Sequence, residues 1–291
     1  MISGIALVDK QLGVSSHDVV SQARKALNLK KIGHAGTLDP AASGLLVLGV
    51  GAGTRLLTYL VGADKTYRAT LRLGYSTTTD DAEGETLERS GDLSACTVEA
   101  VRVAAQSFVG EIDQVPSTYS AIKVDGKRAY DLARQGQEVE LRSRRVTLHS
   151  LTLGEMTHGD GWIDLEMAVN CSSGTYIRAL ARDIGRALGV GGHLVALRRE
   201  TVGPFSVEGA HRASDLVEDS LLGLADVAAQ ILPVVSVNEG ETEDLRQGRA
   251  VDTTSWPVDT PLAALSKTTG DLVAVVQATA GKSRILMGVA R

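Results

Sequence analysis

The chain has 291 residues, 43% of them hydrophobic and 22% charged, the composition of a soluble folded protein with room for one large domain and a small one. Its two cysteines, Cys96 and Cys171, belong to no CxxC and no His/Cys cluster, which argues against a disulfide framework or structural zinc and for a reducing, cytoplasmic setting. No apolar run approaches the ~20 residues of a membrane span, and the opening "MISGIALVDK" lacks the basic n-region and the apolar length of a signal peptide.

In chain order, "GIALVDK" predicts a short strand, and "SSHDVVSQARKALNLKK" an amphipathic helix with Ser15 or Ser16 as N-cap and Asp18 favourable in the first turn. A glycine-rich stretch follows, in which "GLLVLGVG" reads as a buried strand. "TRLLTYLVG" predicts a short helix, and "TYRATLRLGY" a strand with Arg68 and Arg72 outward and Ala69, Leu71 and Leu73 inward. "STTTDDAEGET" is a polar loop of turn formers. Val98, Val101, Ala105 and Phe108 recur at helical spacing over 97–109. Residues 115–145 hold a proline, several glycines and a basic excess, and read as a mobile excursion with one short helix at "AYDLARQG".

"RRVTLHSLTLGEM" and "GWIDLEMAVNCSS" predict a hairpin of long strands. "GTYIRALARDIGRALG" is a helix with Ile177, Leu180, Ala181, Ile184 and Leu188 on one face, and "HLVALRRETVG" a further strand. Short helices follow in an acidic stretch; then "VVSV", "PLAALSK", "DLVAVVQA" and "RILMGVA" form brief strands between turns. The pattern separates a body over 1–230 from a small β-rich domain over 231–291. Strands and helices without a regular βαβ rhythm predict an α+β fold rather than a doubly wound sheet.

The formal net charge of −5 is unevenly spread. Residues 207–259 carry 11 Asp/Glu against 3 Arg, which leaves the rest of the chain positive. Within that rest, 121–149 has 7 Lys/Arg against 4 Asp/Glu, and "RKALNLKK" has four cations and no acid. A polyanion responds to the local field, so this charge permits RNA. Composition alone fits two solvated surfaces of unequal charge equally well.

The segment "KIGHAGTLDPAASGLLVLGVGAGT", residues 31–54, has three readings. A phosphate cradle needs G-x-x-x-x-G-K-[ST], which is absent, and "GVGAGT" places its third glycine one position early for G-x-G-x-x-G. A metal needs at least three ligands, and His17, His149, His158, His193 and His211 are scattered without ligand spacing around His34 and Asp39. The third reading is a turn that presents a carboxylate. Gly33 and Gly36 free the backbone for unusual dihedrals, and Pro40 pushes Asp39 into an extended conformation just before a buried strand. Asp before Pro is also common in plain turns.

"GHAGTLDPAASGLL" closely resembles the signature of the TruB-type tRNA pseudouridine synthases, which isomerise the uridine at position 55 in the T-loop. "ADKTYRATLRLG", "DDAEG", "VPSTYSAIKVDGKRAYDLARQG", "CSSGTYIRALARDIG" and "HLVALRRETVGPF" resemble the family in the same order, over about residues 3–217. In "VDKQLGVSSHD", Gln11 stands where the family usually has proline after Lys10. The resemblance implies a mixed, largely antiparallel sheet flanked by helices, with a C-terminal domain similar to the RNA-binding PUA domain.

The resemblance also implies roles. Asp39 is the catalytic carboxylate, Arg178 the cation paired with it, and Tyr67 the ring that stacks on the target base. His34 enters the RNA loop opened when the uridine flips out, while Tyr176, Leu197, Lys10 and Gly33 belong to the substrate pocket. Without the family, Arg178 reads as a surface cation, Tyr67 and Leu197 as core, and His34 as structural. Lys123, Lys127, Arg142, Arg144 and Arg145 of the basic segment are expected to clamp RNA phosphates. The isomerisation involves no redox change, so neither cofactor nor metal is expected. The partner is the tRNA T-arm, with no membrane and no obligate protein partner. The rival is an RNA-binding module that keeps the fold without the chemistry; a nucleotide-dependent enzyme using the glycine stretch is a second.

Overall fold

The computed structural model describes residues 2–90, 92–119, 123–124, 127–128 and 141–289. In chain order the elements are β1 (Gly4–Lys10), α1 (Ser16–Ala26), β2 (Ile32–His34), β3 (Ala42–Val50), α2 (Thr58–Val61), β4 (Lys65–Leu73), β5 (Tyr75–Thr77), β6 (Thr86–Arg89), α3 (Val98–Gln106) and β7 (Gly110–Gln114). The two-residue strands β8 (Lys123–Val124) and β9 (Lys127–Arg128) pair with each other. Then come β10 (Arg144–Gly159), β11 (Trp162–Cys171), α4 (Ile177–Ala187), β12 (Gly192–Val202) and β13 (Phe205–Ser206). The last elements are α5 (Leu224–Ile231), β14 (Val234–Val237), α6 (Glu239–Arg246), β15 (Pro261–Ser266), β16 (Leu272–Thr279) and β17 (Lys282–Gly288). The fold is α+β, with a β-rich C-terminal region. Contacts divide it into two compact units, Met1–Pro40 with Gly44–Gly62 and Val202–Arg291, and Ala41–Ser43 with Ala63–Thr201.

In the first unit β1 runs antiparallel to β3, from Gly4 opposite Val50 to Lys10 opposite Gly44, and β2 pairs with the end of β3. Both faces of this ribbon are covered, which is why "LLVLGV" is continuously apolar rather than alternating. Ala6, Val8, Leu46 and Leu48 pack on Val19, Val20 and Ala23 of α1. On the other face Ile5, Leu45 and Val47 share a core with Val227 and Ala228 of α5 and with Ala263, Leu272, Val275 and Met287. Those last four come from the C-terminal sheet, ordered β14-β15-β16-β17, in which β14 is parallel to β15 and the other pairs are antiparallel.

Helix α1 begins where expected, with Ser15 as N-cap and Asp18 completing a capping box. It stops at Ala26, short of the expected end, because Asn28 turns to φ 47° and the Leu29 N–H donates back to the Arg24 carbonyl at 3.1 Å. The helix expected over "TRLLTYLVG" divides into a 3-10 turn, Gly51–Arg55, and the single-turn α2. That tight turn folds over Gly49, where a Cβ would meet the Gly53 carbonyl and the Thr54 Cα at 2.7 Å.

In the second unit the strand order is β12-β4-β11-β10-β7, and β4–β11, β11–β10 and β10–β7 are antiparallel. β4 alternates as predicted, with Tyr67, Ala69, Leu71 and Leu73 buried and Arg68 exposed. α4 packs on β4 and buries Ile177, Leu180, Ala181 and Ile184, while Leu188 is half-buried. α3 buries Val101 and Ala105, but Val98, at its first position, is 65% exposed rather than on the packed face. The expected polar loop after β4 stands over 78–85, but its ends pair as a small hairpin, β5–β6. The helix expected at 129–136 lies outside the described residues.

Candidate active site

In the first unit the carboxylate-bearing turn is held from both sides. Gly36 enters it at φ 89°, a conformation glycine adopts without strain, while the Gly33 backbone is ordinary extended strand opposite Gly49, contrary to the expectation that both glycines take unusual dihedrals. The buried Ser16 hydroxyl accepts from the Leu38 N–H and donates to the Leu38 carbonyl, both at 2.9 Å. On the far side of Asp39, the Pro40 carbonyl accepts from the Gly13 N–H at 2.9 Å and from Lys10 Nζ at 3.4 Å. Lys10 is only 1% exposed, and its ammonium also donates to the carbonyls of Gln11 at 3.0 Å and Val14 at 2.7 Å. These bonds tie the 11–14 loop and the Asp39 turn together. Asp39 itself is half-buried between two pinned neighbours. His34, also half-buried, ends β2 opposite Leu48.

In the second unit Tyr67 is buried in β4 opposite Val169, and Leu197 is half-buried in β12. Tyr176 is the N-cap residue of α4 but caps it with no side-chain bond. Its backbone is gripped instead by Gln114, at the end of β7 and 1% exposed: Gln114 Oε1 accepts from the Tyr176 N–H at 2.8 Å, and Nε2 donates to the Tyr176 carbonyl at 3.1 Å. The Arg144 guanidinium lies 5.7 Å from the centre of the Tyr176 ring, at the outer range of a cation–π contact.

Arg178, on the first turn of α4, is buried rather than on the surface. Its Nη1 lies 3.2 Å from Asp81 Oδ2 and donates to the Thr79 carbonyl at 3.0 Å, and Nη2 donates to the Tyr119 carbonyl at 2.8 Å. One helical turn on, Arg182 repeats the pattern, with Asp80 Oδ2 at 3.0 Å, Asp183 Oδ1 at 2.9 Å and the Val115 carbonyl at 2.7 Å. Burial pushes the Asp80 carboxyl above its ordinary pKa, and the Arg182 charge opposes that shift. The β5–β6 turn thus presents two adjacent carboxylates to two arginines spaced i, i+4 on one helix face.

Of the expected clamp residues, Arg142 is exposed, and Arg145 lies 3.8 Å from Glu111 and 3.9 Å from Asp113. Lys123 and Lys127 belong to the β8–β9 pair, and their side chains lie outside the described ones. Cys171 and Cys96 are buried free thiols whose pKa values burial raises, Cys171 to about 11, so neither supplies a thiolate at neutral pH. Burial lowers the pKa of His193, which lies against the Tyr75 carbonyl at 3.1 Å and stays neutral. Among the described residues no three His, Cys, Asp or Glu side chains gather as a metal site, and no helix is long and apolar enough to cross a membrane.

Sequence reasoning missed Ser16, Gln114, Asp80 and Asp81 as supporting residues. For the aspartates a signal existed: an adjacent acid pair in "TTDDAEG" complements Arg178 and Arg182 on the helix. For Gln114 and Ser16 none did, since each acts on backbone groups distant in sequence.

Residues 24–177 match the model of the TruB family pseudouridylate synthase N-terminal domain, and residues 178–236 that of the tRNA pseudouridylate synthase B C-terminal domain. The tRNA pseudouridine synthase B of Arthrobacter sp. (strain FB24) is 45% identical over 98% of this chain and 95% of its own. That of Paenarthrobacter aurescens (strain TC1) is 49% identical over 86% of this chain and 81% of its own. Among solved structures, a Cbf5-Nop10-Gar1 complex contains a chain that superposes with a TM-score of 0.69 at 26% identity, covering 99% of this chain and 84% of that one. An archaeal box H/ACA sRNP Nop10-Cbf5 complex, with a TM-score of 0.70 at 23% identity over 98% of this chain and 85% of its own, shares the fold.

These matches define an isomerase that acts on uridine in tRNA to make pseudouridine. Within that class, the chain belongs to the TruB family of pseudouridylate synthases.

Proposed function

We propose that the protein isomerises uridine-55 in the T-loop of tRNA, with Asp39 as its catalytic carboxylate. The reaction breaks the N1–C1′ bond, turns the uracil in place and joins C5 to C1′, after which C5 loses its proton and the freed N1 carries one. It demands a carboxylate aimed at the sugar–base junction and a surface that retains the detached base. The observation that carries the reading is the Asp39 turn. Ser16 on one side and Lys10 with Gly13 on the other hold the backbone at both neighbours, which supports a carboxylate presented from a fixed turn.

In this reading Arg178 is the cation that orients Asp39, Tyr67 stacks on the uracil, and Tyr176 and Leu197 complete the base pocket. His34 occupies the RNA loop opened by flipping the nucleotide, beside Gly33, and Lys10 serves binding by holding the turn in shape. Lys123, Arg142, Arg144 and Arg145 grip phosphates. The catalytic domain is residues 1–230, and the β-rich domain at 231–291 is a PUA-like RNA-binding module. The enzyme works in the cytoplasm without cofactor, metal or obligate protein partner.

Tritium release from tRNA labelled at C5 of uridine tests this. The wild type is expected to release tritium without added metal or cofactor, and Asp39→Asn to fall to near background while still binding tRNA. An active Asp39→Asn overturns the role of the carboxylate. A wild type that binds tRNA without releasing tritium favours an RNA-binding module instead.

A further inference from the structure

Within the first unit, one stretch of the chain is almost without acids. Between Val19 and Gly62 the only acid is Asp39, against five cations, Arg24, Lys25, Lys30, Lys31 and Arg55. All five are exposed, and hydrogen bonds to backbone carbonyls join the pieces that carry them. Arg24 Nη2 donates to the Ile32 carbonyl at 3.0 Å, the Leu29 N–H donates to the Arg24 carbonyl at 3.1 Å, and the Gly51 N–H donates to the Lys31 carbonyl at 2.9 Å. The C-terminus of α1, the 28–31 loop and the Gly51–Arg55 turn therefore make one rim alongside β2, the strand that ends at His34.

Arg24 and Lys25 have a sufficient local reason to be where they are, since cations in a last helical turn complement the helix dipole. Lys30, Lys31 and Arg55 lie outside that turn. Among the described residues none of these three forms an ion pair, whereas Arg68, Arg72, Arg102 and Arg182 of the second unit each hold a carboxylate. A rim of like charges without acidic partners repels itself and raises the local concentration of a polyanion. We propose that Lys30, Lys31 and Arg55 form a docking rim for the phosphodiester backbone of the substrate tRNA, adding affinity and registering the RNA beside His34 without reading bases. This rests on the proposed function, in which His34 meets the RNA.

The test is binding of an unmodified tRNA transcript across a salt series, for the wild type, for Lys30→Ala/Lys31→Ala/Arg55→Ala, and for the charge-preserving Lys30→Arg/Lys31→Arg/Arg55→Lys. Each phosphate contact contributes about 0.7–0.9 to the slope of log affinity against log salt, so the alanine variant should lose about two to three units of slope. Its affinity should approach the wild type's at high salt, its catalytic loss should fall on KM, and the charge-preserving variant should regain most of the slope. Arg102→Ala, which removes an exposed cation already paired with Glu99, serves as a control with an unchanged slope.

An unchanged slope in the alanine variant with an unaltered melting temperature overturns the rim while leaving the assigned reaction intact. A slope lost equally in the charge-preserving variant also overturns it, because charge would then not be the cause. A wild type that binds tRNA but releases no tritium overturns the proposed reaction and leaves the rim to be judged by its slopes. A wild type that does not bind tRNA overturns both.

Discussion

Arg178 shows what a single residue requires of its surroundings. A guanidinium taken out of water costs several kcal/mol unless its donors and its charge are met. Here Asp81 meets the charge, and the carbonyls of Thr79 and Tyr119 take further donors. These contacts hold the plane of the guanidinium, so in the proposed function Asp81 would act on the site through Arg178. Asp81→Asn keeps the shape and removes the charge. The buried cation then remains with neutral acceptors on this side, and breaking such a pair costs about 3–5 kcal/mol, the lower end applying where carbonyls persist. The expected outcome is a lower denaturant midpoint together with slower tritium release at unchanged tRNA affinity. Wild-type kinetics in Asp81→Asn would separate the ion pair from catalysis.

At the scale of elements, the start of α4 and the Asp39 turn are both set by side chains that imitate backbone. Gln114 completes on Tyr176 the donor–acceptor pair that a neighbouring strand would otherwise supply, and Ser16 does the same for Leu38. Gln114→Ala leaves the Tyr176 N–H without its partner in a largely dry setting, at a cost of about 1–3 kcal/mol. It should also loosen Tyr176 and slow turnover, both measurable by chemical denaturation and single-turnover kinetics. Unchanged kinetics beside a clear stability loss would limit Gln114 to a structural role.

Legibility in the sequence follows the range of the interactions. The alternation of β4, the apolar face of α4 and the Ser15–Asp18 cap are local, and their periods are visible in the residues themselves. The β5–β6 hairpin was hidden because its strands have three and four residues, too short for a period, and its turn is composed like any solvent loop. Arg178 reads as a surface cation from helical spacing because burial there depends on a hairpin about a hundred residues earlier.

For the whole molecule, the C-terminal sheet has a part in the stability of the N-terminal ribbon. Ala263, Leu272, Val275 and Met287 belong to the same core as Ile5, Leu45 and Val47. Removing residues 233–291 would expose the apolar face of β1 and β3, at about 25 cal/mol for each Å² uncovered. A chain ending at Leu232 is therefore expected to melt well below the full-length protein and to aggregate, rather than to behave as a complete body lacking an appendage. Thermal unfolding of the truncated chain with an unchanged midpoint would show that the shared core contributes little.

The sequence by itself determined the local elements with a strong period and the α+β class, because each is written in neighbouring residues, and it carried the motifs whose family resemblance points to Asp39, Tyr67 and Arg178. Only the tertiary structure decided what holds those residues in place. Ser16 reaches Leu38, Gln114 reaches Tyr176 and Asp81 reaches Arg178 across 22, 62 and 97 positions of chain. Such pairings leave no periodic trace, since a hydrogen bond or ion pair needs closeness in space and sets no spacing along the sequence.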